Sequence, residues 1–220
     1  TFQIVWSRTL GRLVVCGELA KHKKKTGGTR RASKSGAMTL AGLLAAGTSL
    51  FAHFSYAEEI DPSTLPQGAQ VVHGGVAIST NNNAMNVVQS TDKAIVNWNS
   101  FNVGSQASVN FDQPSSSSSI LNRVTSLDAS KIFGQITSNG QVLLVNPNGV
   151  LFSESARVDV GQLIASTLDI ANEDYLSGNY TFTGNSGEII NRGELSGGLI
   201  ALLSPSVINE GHIAARLDDV

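Results

Sequence analysis

The segment IINRGEL at 189–195 recurs as VINEGHI at 207–213, with Ile190, Asn191 and Gly193 in phase with Ile208, Asn209 and Gly211 eighteen residues on. A chain that repeats at this interval, with apolar, amide and glycine positions all in step, is restricted to architectures that stack like on like. The surrounding texture is strand-like. Runs such as AIVNW (94–98), SVNF (108–111), KIFGQI (131–136), QVLLV (141–145), NYTFT (179–183) and GLIALL (198–203) are separated by Asn, Gly and Ser, and no window carries a helical apolar period. We therefore expect an all-β chain wound as a solenoid of parallel strands, each coil about 4.8 Å above the last. Asn191 over Asn209 predicts a hydrogen-bonded amide ladder. The pairs Leu144-Val145, Leu163-Ile164 and Leu199-Ile200 suggest one coil of 19 residues followed by two of 18. The competing architecture is a β-sandwich with hairpins at Asn139-Gly140 and Asn148-Gly149. The offsets of eighteen favour the solenoid, with Asn139-Gly140 kept as one hairpin within it.

Charge divides the chain. Nine lysines and arginines face only Glu18 before residue 58, whereas six basic groups face sixteen acidic ones after it. Such asymmetry suggests two pieces with different fates. Residues 37–52, AMTLAGLLAAGTSLFA, form an apolar run that is short of the ~20 residues of a membrane span. Arg30, Arg31 and Lys34 precede it, and Ser55 and Ala57 follow it, flanking Tyr56. This is the layout of a secretory signal, with cleavage expected after Ala57. The one cysteine, Cys16, lies in this leader, so the remaining chain has no thiol to mispair in an oxidising compartment. His22, His53, His73 and His212 match no metal-ligand spacing, and no cofactor is expected. The acidic remainder repels phosphate, which argues against nucleic acid as a partner.

The expected organisation is a cleaved leader at 1–57, an N-terminal cap at 58–93 and a solenoid at 94–220. A solenoid needs its first coil covered, because an open edge presents unpaired N–H and C=O groups. Residues 58–93, with Pro62, Pro66, Gly68, Gly74, Gly75 and Asn81-Asn82-Asn83, suit such a cover. The last residues, Arg216 to Val220, carry no cap signal, so the array is expected to continue beyond residue 220.

Two parts of the chain resemble known families. The start, TFQIVWSRTLGRLVVCGELAKHKKK, is similar to the extended signal-peptide region of very large Gram-negative secreted proteins, through Trp6, Leu10 and Glu18-Leu19-Ala20-Lys21. The stretches IVNWNSFNVGSQASVNFDQP (95–114), ILNRVTS (120–126), SKIFGQI (130–136), GQVLLVNPNGVLF (140–152) and VDVGQLIAST (158–167) resemble the filamentous-haemagglutinin-like secretion domain of two-partner secretion exoproteins. The resemblance implies a right-handed parallel β-helix with an N-terminal cap and short antiparallel extra-helical strands. It implies no enzyme activity. It also implies the partners: the general secretion machinery of the inner membrane, then an outer-membrane β-barrel transporter recognised through its periplasmic POTRA domains. The destination is the cell surface or the medium. A host receptor or glycan would be met through the part beyond residue 220. The second motif of some members, N-P-N-L, does not occur here.

Eight residues are candidates for the secretion motif: Leu121, Asn122, Arg123, Asn146, Pro147, Asn148, Gly149 and Val150. In Asn146-Pro147-Asn148-Gly149, Pro147 pre-sets φ, Asn148 tolerates a left-handed φ and Gly149 closes the turn. This turn either keeps Val145 and Val150 on the core or touches the transporter. Trp98 and Phe101 read as core or cap anchors, Leu121-Asn122-Arg123 reads either as a surface patch or, through Asn122, as a ladder partner of Asn102, and Ser115 to Ser119 read as a flexible loop. Two rivals remain. A glycan-binding adhesin would use the Ser- and Asn-rich faces. A β-helical polysaccharide-cleaving enzyme would need carboxylate pairs, for which Glu154 with Glu173 and Asp174 with Glu194 are the candidates.

Overall fold

A computed structural model describes residues 2–7, 12–17 and 60–216. The apolar run 37–52, the expected cleavage residues Ser55 and Ala57 and the last four residues lie outside the described residues. Two strands of the leader, β1 (Phe2–Ser7) and β2 (Arg12–Gly17), pair antiparallel. Two more, β3 (Gln70–His73) and β4 (Val76–Asn81), precede the coils. The first coil contains β5 (Ala84–Gln89) and β6 (Lys93–Trp98). The second contains β7 (Ser108–Asp112), β8 (Ser119–Val124) and β9 (Ser130–Ile132). The third contains β10 (Gln135–Ser138), β11 (Gln141–Val145) and β12 (Val150–Phe152). The fourth begins with β13 (Arg157–Asp159) and β14 (Gln162–Ser166). It then leaves the coil through β15 (Asp169–Ile170), the short helix α1 (Asn172–Ser177) and β16 (Tyr180–Thr183), and returns at β17 (Glu188–Asn191). The fifth contains β18 (Glu194–Gly197), β19 (Leu199–Leu203) and β20 (Ser206–Asn209), and β21 (His212–Ala215) opens the next.

Strands at the same position in successive coils hydrogen-bond in parallel. They make a seven-stranded sheet ending in β4, a six-stranded sheet ending in β3 and a four-stranded sheet from β9 to β20. The protein is a parallel β-helix. At the N-terminal end β3 pairs antiparallel with β6, and β4 with β5, so the backbone of the first coil meets a partner strand.

The three sheets differ in sequence texture for a physical reason. In the seven-stranded sheet the burial alternates, as in β7 with Val109 and Phe111 inward and Asn110 outward, because one face meets solvent. Behind its exposed end strand β3, the six-stranded sheet is buried on both faces. Ala94, Val96, Ile120, Val142, Leu144, Leu163 and Ala165 pack inside the coil. Ile95, Leu121, Leu143, Ile164 and Ala201 face outward into a second apolar cluster. Continuous apolar runs such as QVLLV are the consequence. Inside the first coil Trp98 and Phe101 are both 1% exposed and meet edge to face, with ring centroids 5.4 Å apart. They are the core anchors that the sequence suggested.

Coil register departs from the simple count. Asn191 lies beside Asn209, and its Nδ2 donates to the Asn209 Oδ1 at 2.7 Å, as the eighteen-residue offset requires. Leu144, however, pairs with Ala165, and Leu163 with Val142, so the third and fourth coils are offset by 21 residues and not 19. Leu163 pairs with Ile200, which makes the next offset 37. That span is one coil enlarged by the excursion through β15, α1 and β16, not two coils of 18. Only where the corners are shortest does the repeat reach eighteen.

Asn139-Gly140 is not a hairpin either. Strands β10 and β11 belong to different sheets, and the dipeptide forms the corner between them. Asn139 Nδ2 donates to the Gln113 carbonyl at 2.7 Å and its Oδ1 accepts the Gln113 N–H at 2.8 Å. A Cβ at Gly140 would meet the Ser118 carbonyl oxygen at 2.7 Å, so adjacent corners stack too closely for a side chain. The serine run is likewise a built corner. Ser118 N–H bonds the Ser115 carbonyl at 3.1 Å, Ser118 Oγ lies 3.0 Å from Ser115 Oγ, and Ser119 is already the first residue of β8.

Candidate functional site

The N-P-N-G corner joins β11 to β12. Its turn closes with the Gly149 N–H on the Asn146 carbonyl at 3.1 Å. Asn148 does not take a left-handed φ; the turn places that burden on Gly149, at φ +122°, where a side chain would be strained. A Cβ there would also meet the Glu188 carbonyl oxygen of the following coil at 3.1 Å. Asn146 is fully buried. Its Nδ2 donates to the Asp128 carbonyl and to Ser130 Oγ, both at 3.0 Å, and its Oδ1 accepts the Asn148 N–H at 3.0 Å. Its own N–H reaches the Ser166 carbonyl at 2.9 Å. One asparagine thus joins three successive coils. Gly149 and Val150 are buried, Pro147 is half-buried and Asn148 is exposed, with its Nδ2 on the Ser126 carbonyl at 2.9 Å.

The Leu121-Asn122-Arg123 segment splits by face. Leu121 points outward into the second cluster. Asn122 is fully buried: its Oδ1 accepts from Trp98 Nε1 at 3.0 Å, and its Nδ2 donates to the Leu143 carbonyl at 3.3 Å. It does not ladder with Asn102, whose Oδ1 instead accepts the Lys131 N–H at 2.8 Å. Arg123 Nε lies 2.9 Å from the Asp169 carboxylate, while its other nitrogens reach Asn172 Oδ1 at 2.9 Å and the Ile170 carbonyl at 2.6 Å. Of the eight candidates, five are buried, and a partner in solution can reach Arg123, Pro147 and Asn148.

Arg123 belongs to a cluster that sequence reasoning missed. The excursion at 168–183 lies as a strap over the outward face of the six-stranded sheet. Leu168, Ile170, Tyr175, Tyr180 and Phe182 cover Ile95, Leu121, Leu143 and Ile164 there. Lys93 Nζ donates to the carbonyls of Tyr175 and Leu176 at 3.0 and 2.7 Å, the open C-terminal end of α1. Tyr175 Oη lies 2.8 Å from Ser119 Oγ, and its ring stacks on Tyr180 at 6.0 Å. Partners 46 to 83 residues apart leave no local signal.

Burial pushes the Tyr175 phenol well above its ordinary range, with the Ser119 hydrogen bond acting weakly the other way, and it raises Tyr180 too. The folded state holds these protons more tightly than the unfolded chain does. The stability this contributes is complete below the free phenol value of about 10 and drains as pH rises above it. The thermal midpoint, measured from about pH 8 to 11.5, is expected to fall beyond about 10. Tyr175→Phe should flatten that fall.

The carboxylate pairs considered for an enzyme do not form. Glu194 lies beside Arg157, with Arg157 Nε 3.3 Å from its carboxylate. Glu173 and Asp174 sit in α1, and Glu154 lies in the corner after β12. Among the described residues no cluster of His, Cys, Asp and Glu could hold a metal ion.

The TPS secretion domain family matches residues 62–218. The chain belongs to that family. The extended signal peptide of type V secretion systems matches residues 1–47 of the same TPS chain. A solved structure, the HMW1 secretion domain from Haemophilus influenzae, superposes with a TM-score of 0.63 at 36% identity, covering 67% of this chain and 41% of that one. Two heme/hemopexin-binding proteins of Haemophilus influenzae are 38% and 40% identical, over 69% and 54% of this chain. The chain spans less than a fifth of their length, 18% and 13% respectively. This TPS domain is therefore the secretion signal of an exported exoprotein, whose destination is the cell surface or the medium and whose export implies a cognate outer-membrane transporter.

Proposed function

We propose that the cognate transporter captures this TPS domain through periplasmic POTRA domains, by adding a strand to the outer edge of β3. One observation carries this reading: β3 ends the six-stranded sheet, all four of its residues are exposed, and Val71 and Val72 are 43% and 44% exposed. An apolar edge strand in this state is a template for another chain. The chain carries no catalytic chemistry of its own. Once the first coils fold outside the cell, each gives the next a parallel edge to pair with, and this helps to draw the polypeptide outward. The polar faces also allow weak glycan contact, but receptor binding belongs to the parts of the exoprotein outside these residues.

Lysines at positions 71 and 72 test the edge. Val71→Lys/Val72→Lys leaves the core untouched and blunts strand addition. The exoprotein reaching the medium is expected to fall at least about 10-fold, a differential binding cost near 1.4 kcal/mol. Delivery to the periplasm and the thermal midpoint should stay unchanged. Undiminished export would remove β3 as the docking edge.

A further inference from the structure

From β6 through β8 and β11 to β14 the six-stranded sheet is parallel, and parallel sheets persist where both faces are covered. The coil interior covers one face. The other carries Ile95, Leu121, Leu143 and Ile164, one from each of the first four coils, and its cover is the strap at 168–183. The strap begins directly after β14 and reaches back across all four coils. Ser166 of β14 starts it, with its Oγ accepting the Leu168 N–H at 2.9 Å. Ser119 and Arg123 hold it on β8, and Lys93 holds it on β6. The newest coil is thereby tied to the oldest. We propose that the strap is a latch: the coils from β6 to β14 stay folded only once residues 168–183 have closed over them, and this closure commits the emerging chain to leave the transporter. The inference rests on the proposed folding of the coils outside the cell and does not use the β3 edge.

Chain order makes the latch a distinct step. In a chain that emerges N-terminus first, four strands of this sheet precede their cover. Until the strap arrives, each coil that forms leaves its apolar residue of the row in water, so it reopens readily and the segment can slide back. Closure changes this in one event. Tyr175 and Phe182, both fully buried, come down on the row with Ile170 and Tyr180. In the same movement Lys93 gains the carbonyls at the end of α1, and Arg123 gains Asp169, Asn172 and the Ile170 carbonyl. Opening the strap afterwards means uncovering the whole row and breaking these bonds together. Strap opening and unfolding of the coils beneath therefore form one cooperative transition, not a flap lifting from an independent body.

Native-state hydrogen exchange on the exoprotein collected from the medium tests the latch. In the wild type, amides of the strap are expected to share one opening equilibrium with those of β8 and β11. This comparison needs no variant to fold. Asp169→Ala/Asn172→Ala then removes two side-chain bonds to Arg123 and leaves the apolar row intact. It is expected to speed exchange about 10-fold in the strap, β8 and β11 alike, as the loss of hydrogen bonds to a charged group requires. In pulse-chase export it should lengthen the interval between first exposure at the surface and release. A strap that exchanges well ahead of β8 and β11, or a variant that speeds the strap alone, overturns the latch. Equal acceleration with an unchanged interval overturns the commitment step. The folding reading fails separately: a wild-type domain already resistant to added protease in the periplasm of cells without the transporter overturns folding outside the cell and the commitment step with it, while the exchange result stands.

Discussion

Trp98→Ala is expected to lower the thermal midpoint of the domain by about 10 °C or more. The side chain is 1% exposed, packs edge-on to Phe101 and donates its indole N–H to Asn122 Oδ1. Truncating a buried aromatic of this size costs about 3–5 kcal/mol. It also leaves an amide oxygen buried without its donor, which adds about 1–3 kcal/mol. For a domain of this size each 1 kcal/mol moves the midpoint by about 2–4 °C. Trp98→Phe separates the two contributions, because it keeps much of the volume and loses the hydrogen bond; its shift should be less than half as large. Thermal unfolding followed by circular dichroism measures both, and equal shifts for the two variants would contradict this account.

Asn146→Ala should act comparably, by about 3 kcal/mol and about 6–12 °C, because it removes the partner of Asp128, Ser130 and Asn148 at once. Its consequence for export separates the two roles open to the N-P-N-G corner. If the corner serves the fold, Asn146→Ala abolishes export and destabilises the domain, whereas Asn148→Ala, which loses one exposed hydrogen bond, costs less than about 1 kcal/mol and exports normally. If the corner touches the transporter, Asn148→Ala fails in export while its midpoint holds. Comparing secreted yield with thermal midpoint for the two variants decides it.

The corner shows how far residue type alone could be read. Its turn and its apolar flanks follow from local chemistry, and the structure shows both. The position of the left-handed residue did not follow, because Gly149 and Asn148 can both carry it and the Glu188 carbonyl in the next coil selects glycine. Asn122 failed in the opposite sense. Its spacing from Asn102 suggested a ladder, but the indole of Trp98, one coil earlier, takes the amide into the core.

The sequence by itself determined the solenoid, the leader and the Asn191–Asn209 ladder. Short β-runs, an in-phase repeat and a charged apolar leader are local or periodic signals, and they survive without knowledge of contacts. Tertiary structure alone decided the coil register and the strap. Corner length varies from coil to coil, so offsets of 21 and 37 residues carry no periodic trace. The groups that fasten the strap, Lys93, Ser119 and Arg123 against Tyr175, Leu176 and Asp169, lie on different coils and come together only once the parallel sheet exists to hold them side by side.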